Sequence, residues 1–162
     1  MRRVFHPWTI GQSPSDLSLY PRERIPKNII LDTEGDFWLI DFDLAWHESV
    51  QGMDDLEAFG RRVTFGYSAP ERYSDITPSK DVRGDLFSLA VSLFESATGQ
   101  NPFRSDAADS DEIVRRVEGD PLPSVPEGIA APVAELVRAM SEKDRGKRPS
   151  TARAALERLT GS

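Results

Sequence analysis

The chain of 162 residues is long enough for one domain with a true core. Its 38% hydrophobic and 29% charged residues are ordinary for a globular protein, and a net charge of −7 argues against general nucleic-acid or anionic-membrane binding. With no cysteine, disulfides and thiolate metal sites are excluded; with no apolar run near the ~18 residues of a membrane span and no signal-peptide pattern at the N-terminus, a soluble, cytoplasmic protein is expected.

Residues 1–20 contain Gly11, Pro14 and three serines, which leave room for at most a short helical turn near 16–20. Pro21 and Pro26 then pin a loop. Asn28 to Asp43 reads N-I-I-L-D-T-E-G-D-F-W-L-I-D-F-D, two apolar runs around the polar turn Asp32–Asp36, which predicts a β-hairpin. Asn28 precedes the first strand and Asp41 follows the second, so the hairpin brings an amide oxygen and a carboxylate to one end. Hard oxygen donors of this kind suit Mg²⁺. The stretch 44–65 has no sustained period and reads as a long mobile loop.

A helical turn is expected at 69–73. Asp85 to Thr98 is the strongest helix, with Leu86, Phe87, Leu89, Ala90, Val91, Leu93, Phe94 and Ala97 covering most of its circumference and Gly99 ending it. Such a helix is expected to be buried. Three amphipathic helices follow: 111–118 capped by Ser110 or Asp109, 131–140, and 150–159 capped by Ser150, with a proline-rich extended stretch at 119–128. Bland readings suffice elsewhere. Asp32–Asp36 lacks the remaining ligands of a calcium loop, His6 and His47 are too isolated for zinc, and Ser68 and Ser88 have no His–acid partners.

Six motifs stand in a fixed order. They are P-R-E-R-I-P-K-N (21–28), D-F-D (41–43), T-F-G-Y-S-A-P-E (64–71), G-D-L-F-S-L-A-V (84–91), T-G-Q-N-P-F (98–103) and D-R-G-K-R-P-S (144–150). In this order they resemble the C-terminal lobe of the eukaryotic-type Ser/Thr protein kinases, a family that bacteria also carry. The resemblance implies an α+β, mainly α fold, a helical bundle around a buried helix with a small hairpin. Residues 1–20 are then a weakly structured N-terminal remnant. Residues 21–160 form the lobe, with the catalytic loop at 21–28 and the activation segment at 41–71.

The resemblance also implies roles. Glu23 would accept the proton of a substrate hydroxyl and Thr64 would orient it. Asn28 and Asp41 would ligate Mg²⁺ beside ATP. Arg22 would grip the activation segment, Glu71 and Arg148 would pair, and Asp85 would brace the core. Phosphoryl transfer needs little from a protein beyond such positioning and charge neutralisation. A protein substrate or a regulatory protein is the implied partner.

Departures from the family pattern bear on activity. Glu23 stands for Asp, Ile25 for the lysine that contacts the transferred phosphate, Asp43 for Gly and Pro21 for His. A base displaced by ~1 Å can lose on the order of a hundredfold in rate. No G-x-G-x-x-G or V-A-I-K occurs before Pro21. The chain is therefore expected to be weak or inactive alone. Three readings stay open: a kinase module completed by a separate N-lobe polypeptide, a pseudokinase serving as a regulatory or binding module, and a truncated remnant.

Overall fold

The computed structural model describes residues 19–20, 26–39, 46–47, 63–74 and 81–161. Four short strands are found there, β1 (Leu19–Tyr20), β2 (Ile29–Leu31), β3 (Phe37–Leu39) and β4 (Trp46–His47). Five α-helices follow, α1 (Glu71–Ser74), α2 (Val82–Thr98), α3 (Ser110–Gly119), α4 (Ala131–Met140) and α5 (Ala152–Thr160), with 3₁₀ turns at Pro26–Asn28 and Arg145–Lys147. The described fold is thus α+β and mainly helical.

β2 and β3 form the expected hairpin, with Ile29 opposite Leu39 and Leu31 opposite Phe37. Its turn is fixed by Asp32, whose Oδ1 accepts the backbone N–H of Glu34 and of Asp36, both at 2.9 Å. The Trp38 indole N–H donates to Asp32 Oδ2 at 2.6 Å, tying the second strand back to the turn. Leu31 and Phe37 stay exposed.

The ends of the hairpin region differ from expectation. The sequence pattern allows a helical turn at 16–20 and places 44–65 in a loop, yet β1 pairs antiparallel with β4. Two-residue strands carry no detectable alternation, and the pairing spans 26 positions, so no local signal marks it.

α2 begins at Val82, three residues before the apolar run suggests. Asp81 is the reason: its side chain accepts the Arg83 N–H at 3.0 Å as an N-cap. Gly99, at φ 75°, closes the helix by donating to Glu95 O. The helix faces two ways. Phe87 and Val91 join Tyr67, Ala69, Phe103 and Val117 in one cluster, while Leu86 and Ala90 join Leu136, Val137, Met140 and Ala155 in another. Each fully buried large side chain contributes about 1.5–3 kcal/mol.

The stripe is not apolar all round. Leu93 and Ala97 are exposed, and Ser88 and Ser92 are buried instead. Ser88 Oγ donates to Gly84 O and Ser92 Oγ to Ser88 O, so the hydroxyls are satisfied inside the helix itself.

α3 is capped by Asp109, and Glu112 reaches back to the Ala108 N–H at 2.8 Å. α4 carries Pro132 in its first turn, where a missing N–H costs nothing. α5 starts at Ala152, two residues later than expected. Thr151, not Ser150, is the cap, accepting the Ala154 N–H at 3.0 Å. No helix among the described residues is long and apolar enough to cross a membrane.

Candidate active site

Asn28 closes the 3₁₀ turn that leads into β2 and is only 2% exposed. Because β2 starts opposite Leu39, Asn28 stands at the open end of the hairpin. Asp41, Arg22 and Glu23 lie outside the described residues. Of the implied Mg²⁺ ligands, the one described is a buried amide, and its oxygen is the hard donor the ion prefers. Among the described residues no group of three or more His, Asp or Glu could hold a metal.

Thr64 is half-buried at the head of a tight turn. Its carbonyl accepts the N–H groups of Tyr67 and Ser68, both at 3.0 Å, and its own N–H donates to Ser68 Oγ at 3.0 Å. Gly66, at φ 81°, makes this turn possible, and its N–H donates to the Tyr73 hydroxyl at 3.2 Å. Burial raises Tyr73 to about 12. The Tyr67 hydroxyl is held by the Glu95 carboxylate, and burial followed by that contact keeps Tyr67 protonated above its usual range.

Glu71 and Arg148 meet at the far end of this segment. Arg148 is 3% exposed and uses every one of its five N–H donors. Nη1 and Nη2 hold Glu71 Oε1 and Oε2 at 2.8 and 2.9 Å, and the other three N–H groups go to the carbonyls of Arg83, Glu142 and Lys143. The guanidinium carbon lies 5.0 Å from the centre of the Phe87 ring. Glu71, α2 and the 142–148 loop are thereby joined at one cation.

Asp85 is 1% exposed and takes Arg72 Nη2 at 2.8 Å. Gly84 leaves room for that guanidinium: a Cβ there would lie 3.1 Å from Arg72 Nε. The two ion pairs thus run side by side from adjacent residues, Glu71 and Arg72, to the helical core. Thr64, Glu71, Asp85 and Arg148 are therefore linked through one short segment.

Arg72 escapes a sequence reading because a lone arginine after A-P-E has no periodic signature. The acid at the head of a buried helix, Asp85, was the available signal that a cation must approach it. Lys143 is a second residue without a sequence signal. Its Nζ donates to Val117 O at 2.5 Å and lies 4.3 and 5.4 Å from the Phe103 and Phe87 ring centres. Burial, with Arg148 beside it and Asp120 only partly compensating, pushes its ammonium down to about 8.

This chain belongs to the protein kinase domain family, which it matches over residues 25–159. It is 33% identical to human dual specificity mitogen-activated protein kinase kinase 7 over 134 residues, 79% of this chain and 30% of that protein. MAP kinase kinase mkk-4 of Caenorhabditis elegans is 30% identical over 83% of this chain and 37% of its own length. Serine/threonine-protein kinase PknH of Mycobacterium bovis is 31% identical over 79% of this chain and 20% of its own. The chain spans less than two-fifths of the length of each of these relatives.

Proposed function

We propose that this chain is the C-terminal lobe of a eukaryotic-type Ser/Thr protein kinase, which transfers the γ-phosphoryl group of ATP to a hydroxyl of a protein substrate. The observation that carries this reading is the Glu71–Arg148 junction, which anchors the 64–71 segment to the helical core. In this reading Glu23 takes the substrate proton, Thr64 orients it, and Asn28 and Asp41 hold Mg²⁺. The ion would neutralise charge on the phosphates when bound. Arg22 steadies the activation segment, whose acids Asp54, Asp55 and Glu57 pair with Arg22, Arg61 or Arg62. The glycine-rich loop and the strand lysine come from polypeptide other than these 162 residues, either a longer form of the same chain or a separate N-lobe polypeptide. The cytoplasm supplies ATP and suits a chain without cysteine.

A second reading, a pseudokinase that recruits a regulatory partner, is favoured by Glu23, Ile25 and Asp43 standing where the family has Asp, Lys and Gly. One experiment separates the two. Melting is followed with Mg²⁺ and ATP for the chain with an N-lobe, alongside transfer of labelled phosphate to a generic protein substrate. A shift in melting temperature and transfer that both vanish in Asp41→Ala support the kinase. A stable fold with neither supports the pseudokinase.

A further inference from the structure

Segment 64–68 is held from outside by a turn that no role has yet been given. Asn101, 5% exposed, follows the end of α2. Its Oδ1 accepts the backbone N–H groups of Phe103 and Arg104, both at 3.0 Å, which fixes the direction of the amide. Its Nδ2 therefore has one way to point, and it donates to Gly66 O at 3.4 Å.

Arg104 covers the same glycine. A Cβ at Gly66 would fall 2.3 Å from Arg104 Cγ and 2.8 Å from its Cδ, and the guanidinium lies 5.8 Å from the Tyr67 ring centre. With Glu95 on the Tyr67 hydroxyl, residues 66 and 67 are gripped from three directions. Gly66 and Tyr67 belong to the turn headed by Thr64, so whatever sets them sets Thr64.

We propose that Asn101 is a positioning residue, acting through Gly66 and Tyr67 to set where Thr64 and its segment lie, with Arg104 closing the clamp. Its consequence for catalysis rests on the phosphoryl-transfer reading above. The clamp itself is a matter of geometry. An amide is required at 101 because the site needs an acceptor toward 103–104 and a donor toward the Gly66 carbonyl. Aspartate has the same shape but offers only acceptors, so it keeps the turn and opposes the Gly66 carbonyl.

The test is Asn101→Asp in the full chain, read by amide hydrogen exchange. Exchange at Tyr67 and Ser68 rises about fivefold or more while α2 and α5 keep their rates. Unchanged rates at Tyr67 and Ser68 overturn the clamp. An equal rise in α5 also overturns it, because the effect would then be global. A second arm measures phosphoryl transfer to peptide in the complete kinase. The variant loses about tenfold in kcat with KM for ATP unchanged, whereas undiminished transfer overturns the positioning role. Absence of transfer by the unaltered protein overturns the kinase reading, and the exchange rates then decide the clamp.

Discussion

Glu71 and Arg148, 77 positions apart in sequence, meet in a two-pronged pair at 2.8 and 2.9 Å whose cation is fully enclosed. The planar fork matches the carboxylate oxygen for nitrogen, and the remaining N–H groups serve backbone carbonyls that would otherwise be stranded. Removing one partner therefore leaves several polar groups without satisfaction, which is the costly way to break a buried pair.

Arg148→Ala is expected to destabilise the fold by about 3–5 kcal/mol, read as a drop in the urea midpoint. Arg148→Lys also lowers it, since one ammonium cannot span the acceptors that a guanidinium reaches. An unchanged midpoint for the alanine variant would show that the pair carries little of the fold's stability.

Gly66→Ala tests the packing of Arg104 as a double-mutant cycle. Alone it combines an unfavourable φ with overlap on Arg104 Cγ and Cδ. In an Arg104→Ala background that overlap disappears, leaving the backbone strain, about 1–3 kcal/mol, and the close approach of the new Cβ to Asn101 Oδ1 at 3.1 Å. The cost of Gly66→Ala is expected to be larger in the presence of Arg104. Equal costs in both backgrounds would remove Arg104 from the effect and leave it to the backbone and Asn101.

Lys143 gives the fold a slope in alkaline solution. Its folded value, about 8, lies below the ordinary 10.5. Between those values the unfolded chain binds more protons than the native one, so unfolding free energy rises with pH across that window. Above pH 10 Tyr73 acts oppositely: its folded value of about 12 exceeds the ordinary 10.0, and stability is lost as pH rises toward 12. Denaturation from pH 7 to 10 is expected to show the rise in the natural chain and a flatter profile in Lys143→Met. The same rise in both would assign it elsewhere.

Trp38→Phe is expected to loosen the hairpin turn from its acid. The indole N–H first, then the backbone donors of the turn, hold the Asp32 carboxyl below the usual 3.8. A depressed value means stability that is present above pH 3.8 and is lost as pH falls through the folded value. In the variant, the Asp32 carboxyl resonance should titrate closer to the ordinary carboxylate range. A titration that does not move would dismiss the indole bond.

Much of this was legible in the residues. Apolar spacing marked the central helix and the 131–140 helix, because burial of a face leaves a period in the sequence. The hairpin was legible for the related reason that its turn is built from local donors and acceptors around Asp32. Helix starts were less so. Asp81 and Thr151 cap where the first apolar residue gave no hint, since a cap is a hydrogen bond and not a pattern. The contacts that organise the candidate site were the hardest. Arg72 with Asp85 and Asn101 with Gly66 join residues 13 and 35 positions apart through single side chains. Nothing periodic accompanies such pairs. Order among short motifs pointed to Glu71 and Arg148, but the three carbonyls that complete the arginine's shell belong to backbone, which sequence does not display.

Leu122 touches both hydrophobic clusters, and it does so from the extended stretch between α3 and α4, flanked by Pro121 and Pro123. With φ fixed on either side, that leucine arrives already extended, having little chain freedom left to lose. A stretch that looks like a spacer is therefore mortar. It makes heat absorbed by one cluster felt by the other, so the helical part should melt as a single calorimetric unit and not as two.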